Sequence, residues 1–131
     1  MATPTTAVLT WVIPPDPTGI FSQYQIWSSV TGLPPFNLIG VVNTYTQTSF
    51  THAPTPVGNQ SQYYYVTTVS SGTNISAPSD TLKTLFVNLT GSINGVSNLN
   101  WNAMCVPLLP TSSTSYTVSR EDPVGVWSPI H

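Results

Sequence analysis

The sequence predicts an all-β chain organised as tandem β-sandwiches. Three observations carry that expectation. Ala, Glu, Lys and Arg are scarce, and no stretch of a dozen residues avoids both β-branched runs and Pro or Gly. Short runs rich in Val, Ile, Thr and Tyr alternate with turn clusters. One arrangement of these runs recurs roughly 90 residues later, a period that suits one small sandwich per unit.

The elements follow in order. Over residues 7–13, Leu9, Trp11 and Ile13 share one face at period two. Pro14, Pro15 and Pro17 end that run, because none of them can donate to a ladder. Asp16 within the proline turn reads as a side chain that bonds its own backbone. Over residues 22–28, Tyr24 and Ile26 share a face and Trp27 points the other way. Residues 32–35 form a loop, residues 36–42 and 46–51 are strands with a break at Asn43, and 53–59 is a turn-rich connection. Residues 62–70 are the strongest strand. Two registers are open there: Tyr63, Tyr65 and Val69 inward, or Tyr64 and Val66 inward. The first is preferred, because Tyr63 sits nearest the turn. Residues 71–74 suit a hairpin turn, and residues 75–82 return from it, interrupted by Pro78.

The pattern then restarts. Residues 84–90 are strand-like, and Leu99-Asn100-Trp101 repeats Leu9-Thr10-Trp11. Residues 107–110 match the proline loop, and residues 115–120 match 23–28. The chain is therefore parsed as one unit over 1–83 and a second over 84–131. Residues 1–6 are too few for a full first strand, and the second unit stops after its third and fourth strands. Both ends read as cut from a longer protein. The half-unit 84–131 is expected to order only by docking on the first unit or on a neighbouring chain, because a small unstapled domain is marginal.

Leu9-x-Trp11, the proline loop and Tyr24-x-Ile26 resemble the B and C strands of fibronectin type III domains. Pro56-Val57-Gly58 ahead of residues 63–66 resembles the turn before the F strand, and residues 76–79 resemble the start of the G strand. That likeness gives Tyr63 the role of the tyrosine-corner residue. More narrowly, the pair of units resembles repeats of gliding-motility-associated surface adhesins, cargo of type IX secretion. Three features carry this: the run-on through residues 80–86, Leu99-Asn100-Trp101-Asn102, and Tyr116 to Glu121 followed by Gly125-Val126-Trp127. The resemblance implies a non-enzymatic extracellular adhesion and spacer module at the cell surface. Its partners would be neighbouring repeats of the same polypeptide, carbohydrate or other surface proteins. Asp80-Thr81-Leu82 resembles the O-glycosylation motif of such bacteria, which marks Thr81. Cys105 reads as a small apolar residue or, in an exported protein, as half of a disulfide to a cysteine beyond this segment. The rival readings are an accessory domain of a secreted polysaccharide-degrading enzyme and a viral or phage fibre component.

Composition removes other classes. Charged residues are 5% of the chain, with two basic side chains in all. Two cations cannot neutralise a phosphate backbone, so nucleic acid is not an expected partner. A basic membrane-surface patch is excluded too. No apolar run reaches the roughly 18 residues of a helical span, so membrane insertion is not expected. The N-terminus shows no signal-peptide pattern, so an exported protein would contain this chain as an internal segment. One cysteine allows neither an internal disulfide nor a thiolate metal site.

No catalytic, cofactor-binding or metal-binding residue is expected. Glu121 and Asp122 are adjacent, and in a strand they point to opposite faces. His52 and His131 are far apart, and no nucleotide, zinc or nucleophile-elbow motif occurs. Trp11 and Trp101 are expected to anchor cores. Trp27 and Trp127 are the candidate contact residues: an outward Trp can stack on a sugar or another chain, or simply cover a cross-strand neighbour. Asn59, Asn74 and Asn88 head sequons that arise easily in so Asn- and Thr-rich a chain.

Overall fold

A computed structural model of the chain describes residues 5–71, 73–93, 96–103 and 115–130, with backbone alone at 92–93. The described residues are all-β. Eleven strands follow one another: β1 (Ala7–Thr10), β2 (Phe21–Ser29), β3 (Asn37–Val42), β4 (Ser49–His52), β5 (Tyr63–Ser70), β6 (Asn74–Ile75), β7 (Leu82–Lys83), β8 (Val87–Ile93), β9 (Val96–Trp101), β10 (Ser119–Glu121) and β11 (Trp127–Pro129). One 3₁₀ turn, Pro56–Gly58, precedes β5.

The first seven strands form two sheets. The larger runs β3-β2-β5-β6, with β7 also on β5, and the smaller pairs β1 with β4. Every pairing is antiparallel. The sheets lie face to face through their apolar side chains. Tyr24, Ile26 and Val42 of the larger sheet are buried, and Leu9, Trp11 and Phe50 pack on them from the side of the smaller sheet. Each such burial contributes about 1.5–3 kcal/mol. Aromatic edges fit this core: Trp11 meets Tyr24 at 5.2 Å and Phe21 meets Tyr24 at 4.6 Å between centroids. Two tyrosine hydroxyls are tied off, while the buried Trp11 Nε1 has no hydrogen-bond partner among the described residues. Tyr24 Oη donates to the Tyr45 carbonyl at 2.9 Å, and Tyr45 Oη donates to the Pro14 carbonyl at 2.6 Å. Two loops at one end of the layers are thereby joined.

The turns behave as their residues dictate. Asp16 accepts the Ile20 and Phe21 N–H groups at 3.1 and 3.0 Å, which closes the proline turn onto the start of β2. Pro78 prevents a continuous strand beside β5, and two serines replace the missing ladder. The Ser76 and Ser79 N–H groups donate to the Thr68 and Val66 carbonyls at 2.8 and 2.9 Å. Their hydroxyls also accept the Thr68 and Val66 N–H groups, each at 3.0 Å.

The register of β5 corrects the preferred expectation. Tyr64 and Val66, not Tyr63 and Tyr65, face the core side. Val66 pairs with the core residue Ile26, and Tyr64 pairs with Ser28. Tyr64 is buried while Tyr63 and Tyr65 are half-covered on the opposite face. Tyr64 therefore makes the upstream contacts expected of Tyr63: its hydroxyl meets His52 Nδ1 at 3.0 Å and Thr55 Oγ1 at 3.4 Å. Val69 is buried too, but by alternation it shares the outer face with Tyr63 and Tyr65 and lies outside the core cluster.

Residues beyond 84 form two hairpins, β8 with β9 and β10 with β11. Among the described residues from 84 onward no side chain is buried. Trp101 is a second correction. It is 42% exposed, and its ring touches Tyr116 edge-on at 5.8 Å. The motif it shares with Trp11 supplies a strand face, but among the described residues β9 pairs only with β8, and no buried layer faces it.

Candidate contact surface and unit junction

The outer face of the larger sheet carries the aromatic side chains left over from the core. Trp27 and Tyr65 are directly opposed across β2 and β5. Their rings stack at 6.0 Å with 21° between planes, and Phe36 tilts onto Tyr65 at 4.8 Å. Trp27 Nε1 donates to Thr67 Oγ1 at 3.2 Å. The indole is thus half-buried, covering a cross-strand neighbour with its polar edge satisfied. Tyr63 extends the same face, with Lys83 Nζ 5.2 Å above its ring, a cation–π distance. Gly32 lets Tyr63 lie flat, because a Cβ there would come within 2.7 Å of the ring. The result is a ridge of Phe36, Tyr65, Trp27 and Tyr63 with one cation at its end.

The other candidates lie elsewhere. Trp127 sits in the β10–β11 hairpin opposite Glu121, 63% exposed and off the ridge. Thr81 is half-covered just ahead of β7, between exposed Asp80 and Leu82. Asn59, Asn74 and Asn88 are exposed. Cys105 and His131 lie outside the described residues.

His52, Thr55 and Tyr64 form a partly enclosed polar cluster. Burial pushes the Tyr64 hydroxyl upward, opposed by the Thr55 hydrogen bond, and burial pushes the His52 imidazole below its usual value. Both effects favour neutral forms. Among the described residues no three His, Cys, Asp or Glu side chains converge as metal ligands. Glu121 and Asp122 serve a turn: Glu121 accepts the Gly125 N–H at 2.7 Å, and Asp122 pairs with Arg120 at 2.8 Å in open solvent.

The run-on through residues 80–86, which joins β7 to β8, is held by hydrogen bonds that no motif marked. Thr84 N–H donates to the Gln62 carbonyl, and Gln62 N–H donates to Thr84 Oγ1, both at 2.8 Å. On the other side, Asn102 Oδ1 accepts the Phe86 N–H at 2.8 Å, and its Nδ2 donates to the Thr84 carbonyl at 3.0 Å. The connection at residues 84–86 is clasped by residues that precede β5 and follow β9. The signal for it was a lone Asn after the second Leu-x-Trp, which sequence spacing alone does not distinguish from a turn residue.

No protein-family model, curated protein or solved structure matches the chain.

Proposed function

We propose that the chain is a non-enzymatic spacer and adhesion module of a large exported surface protein, built from fibronectin type III-like units. The strand order carries the reading. A sheet ordered β3-β2-β5-β6/β7 over a pair β1-β4 corresponds to C′-C-F-G over B-E in that family. The clasp at Thr84 supports the spacer role: a linker held by four hydrogen bonds transmits force and orientation better than a loose one. The aromatic ridge and exposed Trp127 supply flat apolar surface of the kind that stacks on sugars or other chains. Among the described residues Asp16 and Glu121 serve turns, Arg120 and Asp122 pair at the surface, and Lys83 lies over the Tyr63 ring. The rival enzyme-accessory and fibre readings place the same fold in other proteins.

The test is to locate the chain on the cell that makes it. Antibody raised against this chain should label intact, unpermeabilised cells, and the surrounding reading frame should encode further units of this strand pattern. Labelling confined to permeabilised cells would overturn the reading. So would turnover of a polysaccharide or ester that one substitution in this chain abolishes.

A further inference from the structure

Strand β1 is paired on one side. Among the described residues its ladder partner is β4 alone, and the ladder continues where Trp11 N–H donates to the Thr48 carbonyl at 3.0 Å. Antiparallel ladders bond alternate residues. Ala7, Leu9 and Trp11 therefore aim their main-chain groups at β4, and Val8 and Thr10 aim theirs away. That outward edge borders a groove of about 280 Å³, walled by Leu9 and Trp11 from one sheet and by Tyr64, Val66 and Leu82 from the other, with Asp80 and Lys83 also on its lining.

Sheet edges are normally guarded by charge, Pro or a bulge. The far edge of β5 is guarded in this way, by Pro78 and the hydroxyls of Ser76 and Ser79. Residues Ala7 to Thr10 carry no charge, Pro or Gly, and Val8 is 69% exposed. The chain itself shows what such a strand takes as a neighbour. β9 repeats the Leu-x-Trp of β1, and β8 lies antiparallel beside it with Leu89 opposite Leu99 and Val87 opposite Trp101. From Val87 to Thr90 that neighbour is uncharged and alternates aliphatic with polar residues.

We infer that the free edge of β1 is a docking site for an extended, uncharged strand of a partner polypeptide, aliphatic at every second residue and antiparallel to β1. Its main chain bonds Val8 and Thr10, and its aliphatic side chains enter the groove beside Leu9 and Trp11. In this mode backbone bonds give affinity and alternate side chains give specificity. A charged residue seated beside Leu9 and Trp11 would lose water against apolar side chains at a heavy cost, and the two charges on the groove, Asp80 and Lys83, are of opposite sign and so favour neither a basic nor an acidic strand. The inference goes beyond the spacer reading and does not depend on it.

The probe is a synthetic peptide of residues 84–91, added to the full chain and followed by amide exchange and NMR titration. Saturable binding is expected, with slowed exchange at Val8 and Thr10. Val8→Pro removes a donor that faces solvent, a position where edge strands tolerate Pro, and should weaken binding at least about tenfold. Val8→Lys is the second variant, which leaves the β1–β4 ladder intact and charges the edge; it should weaken the peptide too. Unchanged exchange at Val8 and Thr10 overturns the inference, as does equal binding of a scrambled peptide. Slow exchange at both amides before any peptide is added also overturns it, since the edge would already be occupied by the chain itself or by a second copy.

Discussion

The ring of Phe50 lies over the α-carbon of Gly40, in the space a Cβ would occupy. Gly40 sits in β3 opposite Ile26, and Phe50 comes from β4 in the other sheet. The two layers are in close contact here, and they can be because Gly40 has no side chain. Gly40→Ala should cost about 1–3 kcal/mol through overpacking. A thermal melt decides it: a variant that unfolds at the wild-type temperature would show that Phe50 has room to move aside.

Trp11 and Trp27 separate the two faces of the larger sheet. Trp11 packs on Tyr24 in the core, and Trp11→Ala should cost roughly 3–5 kcal/mol. Trp27 loses less on truncation: one hydrogen bond to Thr67 and one stack on Tyr65, together about 1–3 kcal/mol. Urea midpoints of the two variants provide the comparison. Equal losses would mean that the outer ridge is as much a core as the inner face.

The same two residues show what the sequence made legible. Leu9, Trp11, Tyr24 and Ile26 could be placed by alternation, because each has a polar or small neighbour on the opposite face. β5 could not, because Tyr63, Tyr64, Tyr65 and Val66 offer apolar surface on both faces. Its register is decided by partners distant in sequence: Ile26 against Val66, His52 and Thr55 around the Tyr64 hydroxyl, and Gly32 beneath Tyr63. Trp101 failed for a related reason. A motif specifies which way a side chain points along a strand, whereas burial needs a second layer supplied by other residues. The clasp of Thr84 and Asn102 was invisible because side-chain-to-backbone bonds between residues 18 apart leave no periodic trace.

His52 makes stability depend on pH. Its folded-state pKa lies below the usual 6.5 because burial disfavours the imidazolium. The unfolded chain therefore binds the proton more readily than the folded one. The contribution of neutral His52 is complete above about pH 6.5 and is lost as the pH falls through the lower folded-state value. Urea midpoints should decline on that acid side for the native chain and decline less for His52→Gln. A variant that follows the native curve throughout would remove His52 as the cause.

Residues 84–131 should fail to fold by themselves. Residues 84–131 present β8–β9 and β10–β11 as separate hairpins with no buried side chain among the described residues. Val87, Leu89, Leu99 and Trp101 are at least 38% exposed, so the hydrophobic term that offsets chain entropy is small. Thr84 is held by Gln62 of the first unit, a partner that excision removes. A segment of roughly 48 residues without disulfide or metal is marginal even with a closed core. Expressed alone, it should give a proton–nitrogen NMR spectrum with narrow amide dispersion. A dispersed spectrum, unchanged on dilution, would show that the segment folds by itself, and the parsing of residues 84–131 as half of a second unit would have to be abandoned.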